Sequence, residues 1–361
     1  MYRNTYVNIN LDNIEHNVRK FIKDNDKYKY YFGVVKADSY GHYDNEVVNS
    51  IIEGGCNYLA VSSLDEAIAI RKYNKEIPIL CLGIIDEKYI DICIENNITI
   101  TISSLYYLQS ILKNNVKGLK VHIKINSGMN RLGINNKDEF NTTYTLIKNS
   151  DIYLEGLFTH MYDAMNKNIV NKQYEKFENI TSDINYNDIE IIHLCASDAT
   201  LQNEKRDYEN GCRLGIVMYG LTDTIDNAYL PTFNLKSEVI QINNLKKGDV
   251  LGYGGKFVAD KDLNIAVIPI GYADGIIRKN TGRYVYINDK KYNIVGNICM
   301  DMLFVLVDDT VKVGDMCDVI KDIDHIRYIA KYLDTITYEV ICNIGKRVKR
   351  IYIKNNSTKF Q

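Results

Sequence analysis

The chain has no tryptophan, only three prolines among 361 residues, and little net charge: 44 basic against 46 acidic side chains, a formal −2. Each shortage excludes something. Near neutrality, with no basic block denser than Lys346-Arg347-Val-Lys349-Arg350, argues against nucleic acid or an anionic membrane as partner and leaves a small-molecule ligand. No run of about 18 apolar residues is available to cross a bilayer. The opening MYRNTYVNINLDNIEHNVRK lacks the apolar stretch of a secretory signal, so the expectation is a cytoplasmic protein. Eight cysteines form no CxxC pair and no Cys/His cluster at zinc spacing, which suits apolar core residues in a reducing compartment, with no metal expected. No GxGxxG follows a strand. The nearest approach, Gly252-Tyr-Gly254-Gly255, falls in the wrong half of the chain for a dinucleotide fold.

What is present is an alternation. Short apolar segments recur at intervals of roughly 19 to 35 residues: Tyr31-Val35, Tyr58-Val61, Ile77-Cys81, Ile98-Ile102, Val121-Ile125, Leu154-Phe158, Ile189-Leu194 and Leu214-Met218. Between them lie stretches of helical period such as Leu64-Ile70, Ser104-Leu112, Glu139-Ile147 and Gln173-Ile184. Eight strand-helix units predict an α/β fold, a (β/α)8 TIM-type barrel over residues 12–222, with an open doubly wound sheet as the alternative. After the junction Thr222 to Pro231 the pattern becomes short strands and turns: Lys236-Gln241, Leu263-Pro269, Arg283-Ile287 and Lys291-Val295, with turn chemistry at Lys247-Gly248-Asp249 and at Ile287-Asn-Asp-Lys. This reads as a mainly β domain over 232–361, with one helix near Ile323-Leu333. The N-terminal segment 1–11, with its strand Thr5-Asn10, is expected to join that domain.

The chemistry concentrates in Val34-Val-Lys36-Ala-Asp-Ser-Tyr40-Gly-His42, which sets a lysine where an apolar strand ends. Partial burial there would disfavour the ammonium and supply the free amine needed for a Schiff base. A solvated lysine on a loop is the plainer reading, and spacing does not separate the two. In Lys124-Ile-Asn-Ser-Gly-Met-Asn-Arg131-Leu-Gly a flexible turn carries a guanidinium suited to clamping a carboxylate, or else a surface salt bridge. In Arg213-Leu-Gly215-Ile216-Val-Met-Tyr-Gly220 the glycines either let main-chain N–H groups approach a phosphate or simply ease strand packing. Ser197, in His193-Leu-Cys-Ala-Ser-Asp, reads as a phosphate ligand or a helix N-cap. His160 taken alone reads as a satisfied buried histidine.

VVKADSYGH resembles the cofactor-lysine motif of the bacterial, fold-type III alanine racemases, and the resemblance runs from about Asn8 to Tyr352. It implies pyridoxal 5'-phosphate (PLP) on Lys36, with the phosphate contacted by Tyr40, Ser197, Gly215, Ile216 and Tyr338. The last lies in Thr335-Ile-Thr337-Tyr338-Glu339, which resembles TINYE. It implies Arg213 facing the pyridine nitrogen, where a group unable to give up its proton weakens the ring as an electron sink. Substrate carboxylate would fall to Arg131 and the Met300 backbone N–H, the latter in a segment similar to GRxCMD. Lys124 matches a lysine that many members carry carbamylated. Two-sided proton exchange needs a base on each face, implied to be Lys36 on the D side and Tyr253 on the L side. Tyrosine, with a free pKa of about 10, needs help, for which His160 and cationic Arg213 are the implied sources. Tyr272, in a GYADG segment, is the implied entrance residue. The resemblance also implies a head-to-tail homodimer in which Tyr253, Tyr272 and Met300 of one chain complete the site around Lys36 of the other.

The chain departs from the motifs at Asn126 (for Asp), Cys195 and Ala196 (for Ala and Asn), Met161-Tyr-Asp-Ala (for Phe-Ala-Thr-Ala) and Asn297 (for Arg, an expected loss of positive charge at the outer gate). The implied activity is interconversion of L- and D-alanine for peptidoglycan. The alternatives are a racemase of another small amino acid, serine above all, and a noncatalytic PLP-binding protein.

Overall fold

The computed structural model describes residues 2–43, 45–222, 228–355 and 357–360. Residues 223–227 of the expected junction lie outside the described residues. The chain divides into two compact units, Ile14–Ser39 with Val47–Tyr229, and Met1–Asn13 with Tyr40–Glu46 and Leu230–Gln361.

The first unit is a closed barrel of eight parallel strands in sequence order: β2 (Tyr30–Val34), β3 (Tyr58–Val61), β4 (Ile79–Cys81), β5 (Ile98–Ile102), β6 (Lys120–Lys124), β7 (Tyr153–Phe158), β8 (Ile191–Ala196) and β9 (Gly211–Leu214). β3, β4 and β5 are buried at every residue, as parallel strands covered on both faces must be. This settles the (β/α)8 expectation over the open sheet. Seven strands fall where the apolar runs put them. The eighth does not: the expected Leu214-Met218 shares only Leu214 with β9, and Ile216–Tyr219 is a 3-10 turn. All four turn residues are buried, so their apolar run carries no sign of its conformation. Helices start where side chains satisfy the first N–H groups: Ser63 caps Leu64–Arg71 by accepting from Glu66 N–H, and Ser104 caps Leu105–Ile111 by accepting from Tyr107 N–H.

The barrel interior is filled by rings. Phe32 stacks on Tyr58 and on His193, each with centroids 4.4 Å apart, and Phe158 stacks on His193 at 4.8 Å. Gly156 on β7 is required by this packing, because a Cβ there would lie 2.6 Å from the His122 ring.

In the second unit, β1 (Thr5–Asn10) lies between β10 (Phe233–Glu238), antiparallel, and β19 (Lys349–Lys354), parallel. The N-terminal strand thus belongs to the late sheet. That sheet continues through β11 (Gln241–Leu245), β14 (Leu263–Ile268), β15 (Tyr284–Ile287), β16 (Lys290–Val295), β17 (Leu303–Val307), β18 (Met316–Ile320) and β20 (Ser357–Phe360), in the order β11-β14-β17-β16-β15-β18-β10-β1-β19-β20. β12 (Val250–Leu251) and β13 (Phe257–Val258) form a separate ribbon. The strand expected at Lys236-Gln241 is in fact the junction of β10 and β11, because Val239 and Ile240 continue the apolar run across the break. β15 and β16 turn at Asn288 and Asp289, φ 51° and 61°, the left-handed pair that a tight hairpin needs. Helix Ile323–Leu333 is capped by Asp322, which accepts from His325 N–H.

Candidate active site

Lys36 is half-buried, two residues beyond β2. The four residues after it, Ala37 to Tyr40, have φ of 53°, 52°, 52° and 57°, and Gly41 follows at 78°. This is a left-handed helical turn, where the sequence indicated only a strand end followed by a loop. Such a conformation costs about 1–2 kcal/mol per non-glycine residue and persists only when its surroundings enforce it. On the barrel side, Ala37 N–H donates to Glu66 Oε1 at 2.7 Å and Ser39 N–H to Val35 O at 3.0 Å. In the β unit, buried Arg350 donates to Gly41 O through Nε (3.3 Å) and Nη2 (3.0 Å), and Tyr352 OH donates to His42 O at 3.0 Å. Neither Glu66 nor Arg350 is marked by any motif.

Four cations, Lys36, Lys124, Arg131 and Arg213, act on one another and on His160 around the C-terminal ends of the barrel strands. Arg213, on β9, is 3% exposed, and burial lowers its pKa to about 10, leaving it charged at neutral pH. It donates to Thr159 O (2.7 Å), Leu194 O (3.0 Å) and His193 O (2.7 Å). It also reaches His160 Nδ1 at 3.3 Å. Burial, then Arg213, Arg131, Lys124 and Lys36, lower the His160 pKa to about 3. His160 is therefore neutral, and because a guanidinium cannot accept, its proton sits on Nε2. Burial, then Arg131, Arg213 and Lys36, lower Lys124 to about 8. No carboxylate pairs with Lys124 among the described residues.

Arg213 also sets a chain of hydrogen bonds that sequence reading missed. Its Nη1 donates to His193 Nδ1 (2.8 Å), so His193 carries its proton on Nε2 and donates to His122 Nδ1 (2.8 Å). His122 Nε2 then donates to Glu155 Oε2 (3.0 Å), which also accepts from Tyr58 OH (2.6 Å) and Thr99 Oγ1 (3.1 Å). Burial alone would raise the Glu155 pKa, but contact with His122 and Tyr58 outweighs it and brings the carboxyl down to about 2. The carboxylate thus orients, two imidazoles away, the face of Arg213 within the barrel. His193 stood in a recognised motif without a role, whereas His122, Glu155 and Tyr58 gave no signal.

β8, β9 and β2 are neighbours in the barrel, which sets Ser197, Gly215 and Lys36 at three adjacent strand ends. Ser197 is the first residue of helix Ser197–Gln202 and not its N-cap, which is Ala196. Its Oγ accepts from Gly215 N–H at 2.9 Å. The next N–H, of Ile216, finds no acceptor among the described residues although Ile216 is 1% exposed. A buried N–H without a partner is rare and suits an anion. Arg131 is exposed on a loop organised by Asn126, whose Oδ1 accepts from Asn130 N–H (2.8 Å) and whose Nδ2 donates to Asn135 Oδ1 (2.7 Å).

In the β unit, Tyr40 is buried and its ring lies 5.9 Å from that of half-buried Tyr338 on helix Thr337–Cys342. Burial raises the Tyr40 pKa, so its hydroxyl stays a donor. Tyr253 is 75% exposed on a 3-10 turn between β12 and β13, and Asn297 Nδ2 donates to its carbonyl at 2.7 Å. Asn297 is therefore a tether for the tyrosine loop as well as a replaced charge. Tyr272 N–H donates to Cys299 O (3.1 Å) and Ala273 N–H to Met300 O (3.0 Å), which brings Tyr272 and Met300 together; both are exposed. Asp274, fully buried, holds this turn by accepting from Gly271 N–H and both terminal nitrogens of Arg3.

Among the described residues, no group of His, Cys, Asp and Glu side chains could hold a metal ion and no helix is long and apolar enough to cross a membrane. The alanine racemase N-terminal domain family matches residues 9–223, and the alanine racemase C-terminal domain family matches 232–352. Alanine racemase 1 of Bacillus subtilis is 34% identical, across 99% of this chain and 95% of its own length. Solved structures of alanine racemase from Bacillus anthracis with bound L-Ala-P (30% identity, TM-score 0.93, 100% of this chain and 98% of that one) and from Clostridium difficile 630 (33%, TM-score 0.92, 100% and 99%) superpose along the full length. Histidine racemase from Leuconostoc mesenteroides, at 23% identity, shares the fold. The chain belongs to the alanine racemase family and is an enzyme of the racemase class, an isomerase.

Proposed function

We propose that the protein interconverts L- and D-alanine, acts in the cytoplasm as a homodimer, and supplies D-alanine for peptidoglycan. The barrel (12–222) would hold PLP, and the β domain (232–361, with 1–11) would complete the site of a second copy. The observation that carries this reading is the gathering of the Lys36 amine, the Ser197 hydroxyl and the unpartnered Ile216 N–H at adjacent strand ends, beside a fixed guanidinium.

These residues fit PLP by their chemistry: an amine for the carbonyl, hydroxyl and N–H donors for the phosphate (Tyr40, Ser197, Gly215, Ile216, Tyr338), and a cation, Arg213, for the pyridine nitrogen. When bound, PLP supplies the conjugated system that makes the substrate α-proton acidic. Arg213 cannot give up its proton, so it would hold that nitrogen by donating to it and would limit the ring as an electron sink. Arg131 and the Met300 N–H bind the substrate carboxylate, fixing the α-carbon between two bases. The Lys36 amine takes or returns the proton on the D side and the Tyr253 hydroxyl on the L side. Neutral His160, with its proton on Nε2, can donate to the Tyr253 oxygen and, with Arg213, favours its ionised form. Tyr272 narrows the entrance.

Lys124 is proposed to be carbamylated. Its nitrogen adds to CO2 and loses a proton, which replaces a buried cation among cations by an anion able to steady Arg131. Asn126, in place of an acid, leaves that role open.

The test is chiral chromatography of L-Ala, L-Ser, L-Lys and L-Arg incubated with purified protein, beside the visible absorption that a pyridoxal group acquires on a lysine amine. Fast D-alanine formation with that band is expected. Faster turnover of serine would move the assignment to a serine racemase, and the band without turnover would leave a PLP-binding protein.

A further inference from the structure

The β unit contains a cavity of about 270 Å³, below the roughly 300 Å³ at which ordinary small-molecule pockets begin. Its wall is mainly aliphatic: Ile276, Ile320, Ile329, Leu333, Val340 and Ile344. One wall residue does not fit that description. Arg283 is 0% exposed, and no carboxylate lies within ion-pair distance of it among the described residues. Its five N–H donors are unevenly used. Nε donates to Asn280 Oδ1 at 2.6 Å, and Nη1 to Tyr284 O (3.0 Å) and Val319 O (3.1 Å). Nη2, with two further N–H groups, is buried and has no acceptor. Burial lowers its pKa only to about 10, so the group is a cation at neutral pH. A buried cation with neither counter-ion nor full hydrogen bonding destabilises the fold that contains it, and a Met or Leu would fill the same space without that cost. The arginine is accounted for if an anion completes it.

We propose that this cavity binds a short aliphatic monocarboxylate, its carboxylate accepting from Arg283 Nη2 and its hydrocarbon tail lying against the isoleucines and Leu333. The acids and the lysine of the cavity, Asp334, Glu339 and Lys279, are exposed at its rim, and Glu339 is held there by the Thr335 hydroxyl. The interior therefore offers one positive group in an apolar chamber. An α-amino acid fits less well, because its ammonium would enter beside the guanidinium. The site has a consequence for the enzyme. Glu339 and Val340 belong to helix Thr337–Cys342, which carries Tyr338, and Gly275 follows the turn that carries Tyr272. Filling the cavity steadies the mount of Tyr338, which slows loss of PLP; this coupling rests on the role proposed for Tyr338 above.

The experiment is calorimetric titration of the holoenzyme with 4-methylpentanoate, alongside 4-methylpentan-1-amine and L-leucine. Saturable binding of the carboxylate is expected, with the amine and leucine at least tenfold weaker. Arg283→Met, which removes the charge and keeps the bulk, and Leu333→Phe, which narrows the chamber from another element, should each weaken it tenfold or more while retaining the wild-type circular dichroism. Unchanged binding in Arg283→Met, equal binding of the amine, or no binding at millimolar ligand overturns the site. Arg131→Ala separates this proposal from the racemase reading. Binding lost there and kept in Arg283→Met puts the carboxylate in the substrate site and ends the proposal, with the racemase assignment untouched. Binding that survives Arg131→Ala supports the cavity, and it does so whether or not the wild-type protein turns over L-alanine; only absence of turnover in the wild type removes the racemase assignment. Saturating 4-methylpentanoate should slow PLP loss on dilution at least threefold in wild type and not in Arg283→Met; binding without that slowing overturns the coupling.

Discussion

The two units differ in how they hold most of the side chains proposed for the site, exposed Arg131 on the barrel and buried Tyr40 in the β unit being the exceptions. On the barrel, Arg213, Lys124, Ser197 and Ile216 are buried, and hydrogen bonds fix even the tautomers of the neighbouring histidines. In the β unit, Tyr253, Tyr272 and Met300 are 75%, 42% and 53% exposed. Preorganised donors in a dry setting stabilise developing charge without having to reorganise, which is what a cofactor platform needs. Exposed side chains on tethered turns are what a surface offers to another molecule. The contrast supports the reading that a second copy completes the site.

The sharpest way to break the comparison is to damage each unit in a separate chain. Lys36→Ala and Tyr253→Phe should each lower turnover by ~10²-fold or more, the scale of a lost acid-base group. Co-refolded in equal amounts, they pair at random. If sites are shared, each mixed dimer has one doubly damaged and one intact site, so about a quarter of wild-type activity returns. If each chain is self-sufficient, no intact site forms and the mixture stays as inactive as its parts.

Lys124 tests whether the barrel face is finished by its own residues. Lys124→Ala should lower kcat/KM for alanine by up to ~10²-fold through loss of Arg131 alignment. With ¹³C-bicarbonate, wild type should show a carbamate carbon resonance that Lys124→Arg lacks. Because the folded pKa is lowered to about 8, the free amine that reacts is the minor form below that pH and the major form above it. The resonance should accordingly grow as pH rises through 8. A resonance that falls over that range, or one retained by Lys124→Arg, removes the carbamate.

The Glu155 chain shows what sequence could and could not convey. Lys36, Arg213 and Ser197 were legible because each sits in a local motif, and seven barrel strands were legible because a parallel strand must be apolar on both faces. Tyr58, His122, Glu155 and His193 lie on four different strands, and Tyr58 on β3 meets Glu155 on β7 only across the closed barrel. The left-handed turn after Lys36 was hidden for a related reason: Ala, Asp and Ser do not favour positive φ, and what enforces it, Glu66 on one side and Arg350 on the other, is remote in sequence. Glu155→Gln should cost about 1–3 kcal/mol in urea unfolding at pH 7. The folded carboxyl, at about 2, lies below its ordinary 4.5, so its contribution is full above pH 4.5 and lost as pH falls toward 2. Wild type should lose stability across that window and the variant much less, and equal slopes would show that the carboxylate does not orient the chain.

The smallest effect bears on the β unit. Asn297 is 8% exposed and its amide holds the carbonyl of a tyrosine that is itself 75% exposed, so the tether is buried while its load is not. A hydrogen bond of this kind contributes about 1 kcal/mol net, or ~fivefold. If Tyr253 acts only in proton transfer, Asn297→Ala releases the loop without touching substrate binding, and the fivefold loss falls on kcat with KM unchanged. The absence of an arginine at 297, read from sequence as a weaker positive gate, would instead make the position matter for entry, and its effect would fall on KM. The kcat and KM of this one variant therefore decide whether the β unit's departure from the family motif tunes the base or the doorway.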